Sequence, residues 1–130
     1  MRDIKFRAWR ETEKHMYNWN NLLNQNLKNI FTITKSCGYN LMQYTGLHDK
    51  NGKEIYEGDI IHIHNKFFEE FNYLLQWNEE YLRYYLYSTD KKKLNRMEGI
   101  LEAHLSSMIN DIEVIGNIYD NPDLLEKVEG

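Results

Sequence analysis

One cysteine, one proline and a shortage of positive charge bound what this 130-residue chain can be. With Cys37 alone, an intramolecular disulfide and a cysteine-built zinc site are both excluded, and a reducing, cytoplasmic setting is expected. No apolar run approaches the length needed to span a membrane. The opening Met1-Arg2-Asp3 carries no apolar stretch, so a signal peptide is not expected. Acidic residues outnumber Lys and Arg by 20 to 16, a net charge of −4, so no global field draws in a polyanion. The spacing of the glycines fits neither phosphate-binding pattern, and there is no internal repeat.

What the chain has in excess is aromatic surface. Ten Tyr, five Phe and three Trp within a 42% hydrophobic composition are enough for a packed core, and they favour pleated, half-buried surfaces. The length suits a single domain over residues 1–130. The densest punctuation lies in Leu41 to His64, which holds Gly46, Gly52 and Gly58 between short apolar runs. Asn51-Gly52 is a favoured centre for a tight hairpin turn. A second turn is expected at Glu57-Gly58-Asp59, where the Asp59 carboxylate is placed to accept backbone N–H groups. Ile61 and Ile63 then alternate with His62 and His64, the period of a half-buried strand.

These residues also carry a resemblance. MQYTGL followed by DKNGKEIYEGDI is similar to the YopX family of phage and prophage proteins. The opening IKFRAW (Ile4 to Trp9) and the closing EVIGNIYDNPDLL (Glu113 to Leu125) resemble that family's first strand and last motif, in the same order. The resemblance implies a small β-rich, phage-encoded protein, and it brings no established reaction or catalytic residues with it.

Read in order, Ile4, Phe6 and Ala8 share one strand face and Lys5, Arg7 and Trp9 the other, with a polar turn to a returning strand at Met16 to Trp19. The Asn-rich stretch Asn18 to Asn29 suits an irregular connection with at most one helical turn. Ile30 to Thr34 reads as a strand and Gly38 as a turn. Phe71, Tyr73, Leu75 and Trp77 recur at period two, Asn78-Glu79-Glu80 breaks the run, and Leu82, Tyr84 and Leu86 resume it: two strands of a hairpin. Met97, Leu101, Leu105 and Met108 fall at helical spacing, weakened by Gly99. Ile112 to Tyr119 suits a strand, and Asn121-Pro122-Asp123 starts a short helix. The fold class expected is α+β with β dominant: a twisted antiparallel, partly barrel-like (SH3-like) sheet with one or two short helices.

The candidate sites each have a plainer account. His62 and His64 share a strand face, as paired metal ligands do, but a third and fourth ligand are needed, and a solvated strand face explains them as well. Glu54, Glu57 and Asp59 crowd one turn, which points to capping before acid–base chemistry. Cys37 has no identifiable base, and neither His15 nor His48 can be assigned to it. Lys91, Lys92, Lys93 and Arg96 form the one basic cluster, able to contact phosphates beside stacking tyrosines, against the acidic balance of the chain. The remaining candidate is the face opposite Leu82, Tyr84 and Leu86, which carries Tyr81, Arg83, Tyr85 and Tyr87, side chains enriched in binding surfaces; its plainer account is a second cover, with the helix expected at Met97 to Met108 packed over these tyrosines. The function expected is binding of a macromolecular partner, a protein or a second copy of the chain, without catalysis, cofactor or membrane. A small nucleic-acid-binding barrel is the alternative, and an enzyme with an unrecognised site a second one.

Overall fold

The structure is a computed structural model and describes residues 3–24, 38–64, 72–80, 82–89 and 109–125. The chain divides into two compact units, Met1–Gly46 and Leu47–Gly130. The strand expected at Ile30 to Thr34, the basic cluster and the helix expected at Met97 to Met108 lie outside the described residues.

In the first unit, β1 (Phe6–Arg10) lies between β2 (His15–Tyr17) and β3 (Tyr39–His48), antiparallel to both; β3 begins in this unit and ends in the next. Ala8 stands opposite Tyr17 on one side and Leu41 on the other. The helix α1 (Trp19–Leu23) follows β2. Its start is set by Asn18, whose side chain accepts from the Asn21 backbone at 2.8 Å while the Asn21 side chain accepts from the Asn18 backbone at 3.2 Å. That reciprocal capping turns an otherwise helix-poor asparagine run into one short helix. Leu22 and Ala8 are fully buried together, ringed by Phe6, Tyr17, Trp19, Tyr39 and Leu41. The small Ala8 side chain is what leaves room for Leu22. The face assigned from sequence to Phe6 and Ala8 is thus the helix-covered one.

In the second unit, β4 (Glu54–Tyr56) precedes an antiparallel sheet in the order β7-β6-β5-β8, formed by β5 (Asp59–Ile63), β6 (Asn72–Asn78), β7 (Arg83–Ser88) and β8 (Ile112–Asn117). Its core joins Ile55, Ile61, Ile63, Tyr73, Leu75, Tyr84, Leu86 and Ile112, with Leu47 and Val114 against them. Ile61 and Ile63 do point to the core, and His62 and His64 to the other face. The β5–β8 register slips between Ile60 and Ile61, which pair with Gly116 and Val114. This bulge brings Gly116 against Asn121: a Cβ at that position would stand 2.4 Å from the Asn121 side-chain oxygen. The same oxygen accepts from the Asn117 backbone at 3.1 Å, so it cannot swing away freely. Pro122–Leu125 forms a single 3-10 turn, in which the Leu124 N–H donates to the Asn121 carbonyl at 3.1 Å.

The fold class is α+β with β dominant, its strands set in two four-stranded sheets, with short helical elements. No helix among the described residues is long and apolar enough to cross a membrane.

The turn after β3 corrects one expectation. Asn51-Gly52 is not the centre of a primed hairpin turn, which needs positive φ at the first central residue. The Gly52 N–H donates to the Asp49 carbonyl at 3.0 Å, so the centre is Lys50-Asn51, neither of which has positive φ. Gly52 follows as the fourth residue, at φ +82°, the position and residue type that an Asp-led turn favours. Since no atom lies within 4 Å of a Cβ placed there, Gly52→Val tests backbone strain alone. The expected loss is roughly 1–3 kcal/mol, and an unchanged denaturation midpoint would contradict the left-handed conformation.

Candidate functional site

Three groups of polar or aromatic side chains stand out in the second unit. The first surrounds Asp49, a residue only 5% exposed. One oxygen accepts from the backbone N–H groups of Asn51 at 2.8 Å and Lys53 at 2.9 Å. The other accepts from Val114 N–H at 2.9 Å, from the strand β8. Alongside, the Lys50 N–H donates to the Ile112 carbonyl at 2.8 Å. Burial pushes the Asp49 carboxyl up, but the bonds from Val114, Lys53 and Asn51 and the Lys53 charge outweigh it and hold the group below the usual carboxylate range. An ionised carboxylate with both oxygens engaged by backbone donors is a structural clamp, not an acid–base catalyst. Asp59 also serves a turn: it is 1% exposed and one of its oxygens accepts from Tyr56 N–H at 2.8 Å, the turn-capping role its position implies.

The second group is the His face of β5. The two rings meet edge to face with centroids 4.6 Å apart, as the His-x-His spacing implied. Each is engaged across the sheet: a His62 ring nitrogen with the Asn72 side-chain oxygen at 2.9 Å, and a His64 ring nitrogen with Glu113 at 2.9 Å. The His64 bond is the main cause that draws Glu113 below the usual carboxylate range, against partial desolvation. Among the described residues, no group of three or more His, Cys, Asp and Glu is arranged to hold a metal ion.

The third group is the β6–β7 hairpin. Its register sets Gln76 opposite Tyr85 and Leu74 opposite Tyr87, with Trp77 opposite Tyr84 on the other face. Tyr81 lies outside the described residues, and of Arg83 the backbone alone is described, paired with Asn78. Tyr85 is 9% exposed and so belongs to the buried residues, its ring 6.2 Å from that of Tyr87. Tyr87 is half-buried and its hydroxyl accepts from the Asn78 amide at 2.9 Å. The exposed apolar residues of the hairpin are others: Trp77 at 42% and Leu82 at 71%. Alternation assigned both to the core side. Trp77 sits where the core ends, edge-on to Tyr84 at 5.1 Å, and Leu82 adopts φ +54° beside the turn, which takes it out of the strand period. Positive φ at a leucine is rare enough that no sequence signal announces it. Glu79 and Glu80, both exposed, lie between them in the chain.

Comparison with known proteins follows the same outline. The model of the YopX protein family matches residues 5–126. The crystal structure of protein EF1440 from Enterococcus faecalis is similar, with a TM-score of 0.63 and 22% identity over 96% of this chain and 99% of that one. A likeness at that identity shows a shared fold. No curated protein matches the chain.

Proposed function

The chain belongs to the YopX family, and on that premise we propose that it is a phage or prophage accessory protein that works in the host cytoplasm by binding another protein, without catalysis. The observation that carries the binding reading is the outer end of the β6–β7 hairpin. There Trp77 and Leu82 stand exposed at 42% and 71%, beside two exposed glutamates. Large aromatic and aliphatic side chains left in water are recurrent anchors of interfaces. The buried carboxylates Asp49 and Asp59 accept from backbone donors, so the two most enclosed carboxylates of the described residues hold the fold and do not point to a reaction.

Affinity capture from infected host cells, run in parallel with wild-type protein and Trp77→Ser, tests this reading. The expected result is a stoichiometric partner on the wild-type protein that is lost on Trp77→Ser. The variant itself should remain folded, less stable by about 1 kcal/mol from the lost ring contact with Tyr84. No partner above background, or equal capture by both proteins, would overturn the reading.

A further inference from the structure

Beyond partner binding, we propose that Asn51-Gly52 is a latent deamidation site that the Asp49 carboxylate holds shut in the folded protein. Asparagine followed by glycine is the pairing in which a main-chain nitrogen most easily reaches the side-chain amide, because glycine has no Cβ in the way. Both residues are exposed, and the space beside the Gly52 Cα is open. In the reaction the Gly52 nitrogen bonds to the Asn51 Cγ and the Cγ–Nδ2 bond breaks. Ammonia leaves carrying the Gly52 amide proton. Water then opens the cyclic imide at one of its two carbonyls. Opening at the side-chain carbonyl gives aspartate; opening at the main-chain carbonyl gives isoaspartate. No oxidant or cofactor is involved.

The turn opposes each requirement of that attack. The Gly52 N–H is committed to the Asp49 carbonyl at 3.0 Å. The peptide groups on either side are pinned by Asn51 N–H and Lys53 N–H on one Asp49 oxygen, at 2.8 and 2.9 Å. Asp49 is itself anchored by Val114 N–H at 2.9 Å. The attacking nitrogen must also lose its proton, and the negative charge it develops would lie beside an ionised carboxylate in a partly desolvated site. The damage also has a direction. Isoaspartate adds one methylene to the main chain within the short loop that a single Asp49 oxygen spans, so modified molecules lose the clamp that protected them.

The test follows the mass of the Asn51-bearing tryptic peptide, and its isoaspartate content, during prolonged incubation of the full chain in neutral buffer. Wild type is compared native and in urea, together with native Asp49→Asn, checked for folding by circular dichroism. The expected result is conversion roughly tenfold or more slower in native wild type than in urea, as for a site that reacts only on local opening, and an intermediate rate in Asp49→Asn. Where the amide variant does not fold, Asp49→Glu takes its place, keeping the charge while displacing the carboxylate, and it too should react faster than wild type. Equal rates in native and unfolded wild type would overturn the proposal, and so would a folded Asp49 variant that converts as slowly as wild type.

Discussion

Asp49→Ala should lower the unfolding free energy by about 3–4 kcal/mol at neutral pH, the loss of several hydrogen bonds to a charged, buried acceptor. The substitution removes the acceptor for three backbone donors, of Asn51, Lys53 and Val114, at once. Water can reach the first two in an exposed turn. Val114 N–H lies at the sheet bulge and is left without its partner, and an unsatisfied donor there carries the larger part of the cost. The effect also has a pH signature. The folded-state pKa of Asp49 lies below its ordinary value, so the unfolded chain takes up the proton first as pH falls. The stabilisation is therefore fully present above the ordinary aspartate pKa of about 3.9 and is lost as pH drops through the lower, folded value. Urea unfolding of wild type and Asp49→Ala, repeated at descending pH, should show the two curves far apart at neutrality and converging in acid. Curves that stay parallel would rule out the carboxylate as the source of the difference.

The clamp also explains which parts of the fold were legible. Asp49 belongs to the stretch that resembles the family's central motif, and Val114, 65 residues later, to the stretch that resembles its last one. Turn chemistry made the local half readable: aspartate leading a turn, glycine closing it. Nothing in the sequence says that the second carboxylate oxygen reaches another strand, because a long-range hydrogen bond leaves no periodic trace. The same divide runs through the hairpin. Period two identified β6 and β7 and their core residues Tyr73, Leu75, Tyr84 and Leu86 correctly. It failed at the ends, where a strand outruns the core it covers. There Trp77 keeps the phase of a buried residue and is nonetheless exposed. Alternation reports which way a side chain points and is silent on whether anything lies in that direction. A two-faced aromatic strand is therefore compatible with one core face and one contact face or with two covered faces; Tyr84 and Tyr85, on opposite faces, are both buried.

Tyr85→Ser is accordingly expected to lower stability by about 2–4 kcal/mol, the range for deleting a buried ring whose site does not fully collapse. From sequence, Tyr85 is one of four side chains on a face that either meets a partner or is covered; a near-neutral effect of this substitution on stability marks the first, a loss of roughly 2 kcal/mol or more the second. With Tyr85 at 9% exposure, opposite Gln76 and beside the Tyr87 ring, the ring is part of what β6 and β7 bury between themselves and their surroundings. The serine hydroxyl adds a polar group where the ring was and supplies none of its dispersion contacts. Trp77→Ser is the matched opposite, with a large exposed ring removed at about 1 kcal/mol. Measured together by thermal unfolding and partner capture, the pair separates folding from binding on one hairpin. Tyr85→Ser should lose stability and, at a temperature where it is still folded, keep the partner; Trp77→Ser should keep its fold and lose the partner. If Tyr85→Ser instead melts with wild type and abolishes capture, the contact surface is the tyrosine face after all, and the hairpin end carrying Trp77 and Leu82 is only its margin.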